Sequence, residues 1–503
     1  VGSILTTTVI EQEQLVADAL ADTASPAAAL PLAALPLGAL PLAALPLAAL
    51  PEPDEKRIAL SEVISALSVA LDLTEDAVPG HAIRSCLIGM RIAGKLGLDA
   101  QQLHDLYYAL LLKDIGCSSN AARMCQILGA DDRAGKRSAK TVDWTRAASV
   151  DGLKLAWVNA LPNANKLQKI FRVIELGLGR ERNNAEVIGV RCERGADIVR
   201  KIGLSAGCAD AIYSLDEHWN GSGYPERLTG DEIPVLARIL GIAQHLDVFA
   251  SEQSRQRALA TLVERSGTWF DPQLVRVAAS LYISGQLWTG CAHPEEHDLA
   301  RQLVMELEPG EVRFIGAGQV DQVCEAFADV VDAKSPFTYR HSLGVTDAAV
   351  GLAQQFGLSA ERQKLIHRAA LLHDLGKLSV SNTILDKPSK LDQDEWQVVR
   401  HHPELSEQIL SRIPSFAAIA KIAGRHHEKL DGSGYPFGLN GGQLTLEDRI
   451  VAMAEVYGAL SEDRPYRAGL APEEILSILG KEVPHKLDPE VFEALKRYMS
   501  ARG

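Results

Sequence analysis

The chain has 503 residues, 47% hydrophobic and 23% charged, the balance of a globular protein with room for more than one domain. Its net charge of −14 argues against a nucleic acid polymer or an acidic membrane face as partner. Seven scattered cysteines with no close pairing exclude a disulfide framework and a zinc ribbon, and read as the reduced thiols of a cytoplasmic protein.

A short helix is expected around Glu11 to Ala21. From Ala27 to Leu50 the chain is uncharged, with proline at 26, 31, 36, 41, 46 and 51. Proline at every fifth position removes backbone donors and clashes with preceding carbonyls. The stretch therefore reads as a stiff linker and no membrane span is expected. Nor is a signal peptide, since no basic segment precedes the apolar run. From Ile58 the pattern turns helical, with apolar residues at Ile58, Leu60, Val63, Ile64 and Leu67. Strand-like alternation is hard to find anywhere, so the body is expected to be all-α.

An internal repeat organises that body. Asn220 to Pro225 echoes Asp431 to Pro436, and Gly195 to Val199 echoes Ser406 to Leu410, both at an offset of 211 residues. Ala109 to Gly116 echoes Ala369 to Gly376, and His81 echoes His341, at an offset of 260. The first copy thus carries a 49-residue insertion between Asp114 and Arg191, in which the polar stretch Asp131 to Lys140 is expected to be loop. The expected organisation is an N-terminal segment and linker over 1–54, a degenerate copy over 55–279, a helical connector over 280–319 and an intact copy over 320–503.

The second copy concentrates chemistry. His373-Asp374 ends an apolar run. His341 lies upstream, and His402, His426-His427 and Glu455 lie downstream. Five imidazoles and two carboxylates suit two metal positions, and imidazole suits Fe, Mn, Zn or Ni. His401 reads as a neighbour only. At the matching positions the first copy has His81, Lys113, Asp114, Arg191, Leu215, Asp216 and Gln244. Lys113 and Arg191 put cations where ligands should be, and Arg is never deprotonated. Asp114 and Asp216 are their expected ion-pair partners. A sharper alternative is that these cations bind a phosphate-bearing effector.

Residues 320–503 resemble the HD-GYP family. The resemblance rests on His373-Asp374-Leu375-Gly376-Lys377, Ile384-Leu385-Asp386-Lys387-Pro388, His402-Pro403, His426-His427-Glu428 with Asp431 to Pro436, and Asp463-Arg464-Pro465-Tyr466-Arg467. It implies a helical bundle and a phosphodiesterase converting cyclic di-GMP to pGpG or GMP with bound iron or manganese. By position, Asp374 would bridge two ions. His341, His373 and Glu455 would complete one, and His402, His426 and His427 the other. Lys377, Tyr435, Arg464 and Arg467 would contact substrate, with Asp374 and Lys377 catalytic. The family usually has Asp at Glu455 and often at Gly458. Phe337 stands where three-metal members have Glu, so two ions are expected. Two other readings stand beside this one: another phosphohydrolase of the wider superfamily, and a scaffold that binds cyclic di-GMP or a protein partner without turnover. The two copies are expected to pair in cis, with a protein partner at the Gly-Tyr-Pro loop and a homodimer as further expectations.

Overall fold

A computed structural model of the chain describes residues 58–141, 157, 161, 165–291, 297–336, 340–462 and 468–502. The expected helix at Glu11 to Ala21, the proline repeat, Phe337, Arg464 and Arg467 lie outside the described residues. Residues 58–503 form one compact unit. It is helical, and the only sheet among the described residues is a two-residue antiparallel pair, Ile58–Ala59 with Phe314–Ile315. No described helix is long and apolar enough to cross a membrane.

The repeat is structural down to single hydrogen bonds. His81–Ala93, Ala100–Leu112 and Val235–Glu252 in the first bundle correspond to His341–Gln355, Ala360–Leu372 and Leu446–Ser461 in the second. The helices at Ala100 and Ala360 start the same way, with Asp99 and Ser359 each accepting from the backbone N–H three residues on. Gly116 and Gly376 are both required by close approach: a Cβ would run into the carbonyl oxygen of Arg191 or of His402. The Gly-Tyr-Pro loops are built alike as well. Glu428 accepts from the N–H groups of Phe437, Gly438 and Leu439 at 2.7, 3.1 and 2.8 Å. Glu217 does the same for Glu226, Arg227 and Leu228 at 2.6, 3.0 and 3.0 Å. The loop chemistry persists where the ligands are lost, so these contacts serve the fold.

The helix Leu60–Thr74 lies between the bundles, against Ala100–Leu112 of the first and against the Leu375–Ser379 turn and His402–Leu410 of the second. Its Leu60, Val63, Ile64, Leu67 and Leu71 are fully buried, a helix apolar on more than one face because it has a bundle on either side. The connector carries the helix His297–Glu306. From it Arg301 donates to Ser65 Oγ, the Glu62 carbonyl and the Arg412 carbonyl at 3.0, 2.9 and 3.0 Å, tying the connector and the second bundle to the central helix.

One expectation is corrected. Asp131 to Lys140 is not a loop, since Asp132–Thr141 is helical. The segment has no large aliphatic residue and so no apolar stripe. It is held by buried charge instead. Asp132 accepts from the Asn382 N–H at 3.0 Å, Arg133 donates to the Ser379 carbonyl at 2.5 Å, and Lys136 donates to the Cys117 carbonyl at 2.6 Å.

Candidate metal centre

The helices of the second bundle deliver their histidines at their ends. His341 opens its helix, His373 follows Leu372 at the end of another, and His402 opens a third. Asp374 begins the turn that carries Lys377. Glu455 projects from the middle of Leu446–Ser461 and is buried with the rest. Gly376 lets this turn lie against the His402 helix. Ser406 locks the pair, accepting from the Gly376 N–H at 2.9 Å and donating to the His373 carbonyl at 2.7 Å.

Three imidazoles are oriented alike. Nδ1 of His373, His402 and His426 sits 2.7, 2.6 and 2.6 Å from the carbonyl three residues earlier, which makes Nδ1 the donor and leaves the Nε2 lone pair free. Those lone pairs converge. His402 Nε2 is 3.1 Å from His426 Nε2, and both face Asp374 Oδ1 at 3.2 and 3.8 Å. On the other side, His373 and His341 Nε2 face Asp374 Oδ2 at 3.3 and 3.7 Å, and Glu455 Oε2 at 3.3 and 3.0 Å. His373 Nε2 and Asp374 Oδ1 are buried without a hydrogen bond.

Converging lone pairs beside an unsatisfied carboxylate oxygen are unfavourable by themselves and suited to cations. Two groups of donor atoms, His341–His373–Glu455 and His402–His426–His427, each lie within 4.8 Å of one another. His341 and His373 face Asp374 Oδ2, and His402 and His426 face Oδ1. Every ligand position proposed from sequence is thus in one cluster, while the exposed His401 pairs with Glu404 at 3.1 Å outside it.

The electrostatics divide the same way. Burial works against the charged forms of His341 and His373, yet the carboxylates around them raise these imidazoles to about 9 and about 10. Burial also opposes ionisation of Asp374, but His373 and Lys377 hold its carboxyl well below the ordinary range. His426 is pushed well down by burial and by His427. One half of the site therefore attracts positive charge, and the other offers neutral nitrogen.

Lys377 lies at the rim and meets Asp374 Oδ2 at 2.5 Å. Tyr435 stacks on His427, with ring centres 4.7 Å apart. Arg400 lies over the Tyr435 ring at 5.2 Å, and Trp396 meets it edge-on at 5.7 Å.

Sequence reasoning missed Glu462, Arg400 and Trp396. Glu462 Oε2 is 2.7 Å from His341 Nδ1 and orients that ring. Its spacing of seven from Glu455, two helical turns, was the available signal. The first bundle solves the same problem differently. His81 Nδ1 is 2.7 Å from Asp247, which occupies the position of Gly458. A Cβ on Gly458 would lie 2.9 Å from Val345 Cγ2, where the first bundle has the smaller Ser85.

In the first bundle cations stand at the ligand positions. Lys113 pairs with Asp114 and Arg191 with Asp216, as the sequence suggested. Glu75, Asp114 and Cys117 are also clustered, but Lys140 lies 3.1 Å from Glu75 and burial keeps the Cys117 thiol well up.

A buried cluster of imidazoles and carboxylates that could hold metal, carried by a helical bundle, is what a metal-dependent hydrolase requires. The family described as HD domain matches residues 131–274 and 325–491. Over 442 residues, 88% of this chain and 95% of the relative, the chain is 42% identical to 3'3'-cGAMP-specific phosphodiesterase 3 of Vibrio cholerae. It is 43% identical over 148 residues, 29% of this chain and 39% of the relative, to the cyclic di-GMP phosphodiesterase response regulator RpfG of Xanthomonas campestris. A crystal structure of a cyclic GMP-AMP specific phosphodiesterase of V. cholerae matches with a TM-score of 0.60 at 37% identity, covering 88% of this chain and 98% of that one. The chain belongs to the HD domain family, in its HD-GYP branch, with a degenerate copy of the same fold ahead of the intact one.

Proposed function

We propose that the C-terminal bundle opens a phosphodiester bond of a 3'3'-cyclic dinucleotide, with 3'3'-cGAMP favoured over cyclic di-GMP. His341, His373 and Glu455 would hold one divalent cation, His402, His426 and His427 would hold a second, and Asp374 would serve both. The observation that supports this reading is two groups of donor atoms from which paired imidazoles face different oxygens of one carboxylate. Fe or Mn suits such a mixed imidazole and carboxylate set. When bound, two such ions activate water and withdraw charge from the phosphoryl oxygens.

The chain's own groups do the rest. Glu462, Ala370, Val399 and Ala423 orient four imidazoles through Nδ1. Lys377 keeps Asp374 ionised and presents its ammonium group at the rim, where it meets a diester oxygen. Tyr435, Trp396 and Arg400 form a shelf for a base. Arg464 and Arg467 are carried over from the family pattern as phosphate and guanine contacts.

The preference for 3'3'-cGAMP is supported by a relative named for it that spans both copies. The relatives named for cyclic di-GMP in X. campestris and Pseudomonas aeruginosa match 29% and 31% of this chain. The proposed organisation keeps 55–279 as the degenerate domain, 280–319 as connector and 320–503 as the catalytic domain. The test is turnover of both dinucleotides side by side on protein of known metal content. Faster cleavage of cyclic di-GMP would reverse the order, and no cleavage of either by the loaded protein would leave the scaffold reading.

A further inference from the structure

The N-terminal bundle encloses a cavity of about 350 Å³ beside its altered ligand positions, in the size range of small-molecule sites. One wall is aliphatic. Met124, Ile127 and Leu128 come from the helix Ala121–Leu128, and Leu176, Val187 and Ile188 from the helix Lys166–Lys201. All six fall in the stretch between Asp114 and Arg191 that carries the insertion. The indole rings at the cavity are already covered. Arg238 lies over Trp219 at 5.5 Å, and His218 and Arg265 each stand 4.1 Å from the Trp269 ring.

Charge around the cavity balances. Lys136, Lys140, Arg191 and Arg238 line it, and so do Glu75, Asp216, Glu217 and Asp271. Lys140 and Lys136 stand 3.1 and 3.7 Å from Glu75, Arg191 pairs with Asp216, and Arg238 meets Asp271 at 2.9 Å. Glu217 accepts three loop N–H groups. An ionic ligand would have to break one of these pairs and leave the partner charge uncompensated.

Unpartnered polar atoms of neutral groups remain. Asn120 Oδ1, Gln244 Oε1 and His245 Nε2 are buried with no hydrogen bond, and all three residues line the cavity. Such groups call for a partner that the chain itself does not supply. Burial and Arg265 push His245 well down, so its ring is uncharged. That ring packs on Phe249 and Phe270, with centres 4.4 and 4.9 Å away, and Asn120 is tied to the Val187 carbonyl at 3.3 Å through its Nδ2. Gln244 is only half-buried, at the position of Glu455, and the soft terminal torsion of its side chain lets the amide turn toward the space.

We propose that this cavity binds an uncharged, mainly apolar small molecule, held by the aliphatic wall and donating a hydrogen bond to Gln244 Oε1. Covering the aliphatic wall supplies the affinity. The acceptor supplies the selection, because a ligand without a donor leaves it unpaired. The inference concerns the N-terminal bundle alone and does not depend on the reaction proposed for the other.

The test titrates the full chain by calorimetry at neutral pH with naphthol, its methyl ether and naphthoate, which share one ring body and differ in donor and charge. Gly241 lines the cavity within Val235–Glu252, and a Cβ there meets only the Leu215 carbonyl oxygen, at 3.6 Å. Gly241→Leu therefore fills the space while raising helix propensity, and circular dichroism checks that the fold is kept. The expected result is saturable binding of naphthol, weakened about tenfold or more by Gly241→Leu and about tenfold or more for naphthoate, about 1.4 kcal/mol each. The methyl ether should bind about fivefold more weakly than naphthol, the scale of one hydrogen bond, and Gln244→Leu should remove that difference. Failure of naphthol to saturate, or saturation unchanged by Gly241→Leu in a folded protein, overturns the site. Naphthoate binding as tightly as naphthol overturns the uncharged class, and a difference between naphthol and its ether that survives Gln244→Leu overturns the anchor.

Discussion

Removing Glu462 tests the reasoning about the metal centre more sharply than removing a ligand, because Glu462 touches a ligand only from behind. Its carboxylate is 2.7 Å from His341 Nδ1 and is the group that turns Nε2 toward Glu455 and Asp374. Losing such a partner costs about 10–100-fold in metal affinity. Glu462 is partly exposed, so solvent replaces some of its effect and the lower end, about tenfold, is expected for Glu462→Ala. The loss should fall on one ion only, because His402, His426 and His427 do not use Glu462. Stepwise chelation followed by metal analysis reads the two equivalents separately. The first bundle supplies the rescue. There Asp247 holds His81 Nδ1 at the same 2.7 Å from the position of Gly458. Glu462→Ala combined with Gly458→Asp and Val345→Ser should recover most of the loss, the last change clearing the 2.9 Å contact with Val345 Cγ2. A Glu462→Ala protein that holds both ions as tightly as wild type would refute the positioning role, as would equal weakening of both.

Asp374→Ala should remove both ions, since the two triads share that carboxylate, and metal retained at two equivalents would break the shared-ligand assignment. Lys377→Ala should slow turnover with metal content unchanged, because its ammonium group contacts Asp374 and the substrate side of the site. Trp396→Ala should raise KM about tenfold with kcat nearly constant, the scale of one lost base stack, and an unchanged KM would remove the shelf. Lys334 gives a pH test away from the site. Burial pushes its ammonium group down to about 8 against the pull of Asp132. The folded chain therefore holds that proton less tightly than the unfolded one, so the penalty, about 3 kcal/mol, is complete below pH 8 and fades as pH rises toward the ordinary lysine value. Lys334→Met should stabilise the protein by about 1–3 kcal/mol at pH 7 and by little at pH 10.5, and denaturant titrations giving equal gains at both would contradict this.

The parts that were legible in the sequence are those that repeat. Two fixed offsets, 260 residues before the insertion and 211 after it, exposed the matching helices, the shared Gly-Tyr-Pro loop and the ligand positions, because each is tied to a fixed landmark. Substitutions read against that frame were informative, and Lys113 and Arg191 do form the ion pairs their chemistry required. The helix Asp132–Thr141 was not legible because hydrophobic periodicity finds helices that bury an apolar stripe. This one buries Asp132 and Lys136 instead. Gly458, read alone, is a position where the family often has Asp. Its meaning lies in three positions at once: Gly458, Val345 and Glu462 replace the set Asp247, Ser85 and Ser251, and only packing shows that one carboxylate has moved by one turn. The sheet of Ile58–Ala59 and Phe314–Ile315 is too short to have any periodicity.

The two bundles have diverged in complementary ways, and the inserted helix is where they meet. The C-terminal bundle kept ligands and lost nothing of the surrounding turn. The N-terminal bundle exchanged ligands for cations and gained a wall that carries more of them. Lys136 and Lys140 on that wall face the cavity, while Asp132 and Arg133, one turn earlier on the same helix, hold the Asn382 N–H and the Ser379 carbonyl. Ser379 is two residues from Lys377. A helix of ten residues is stiff over that length, so its two ends are not independently adjustable. Whatever fixes the lysines at one end bears on the backbone that sets Lys377 at the other. The ion pairs that replace the ligands of the first bundle are thus tied, through one helix, to the turn that carries Lys377 in the second.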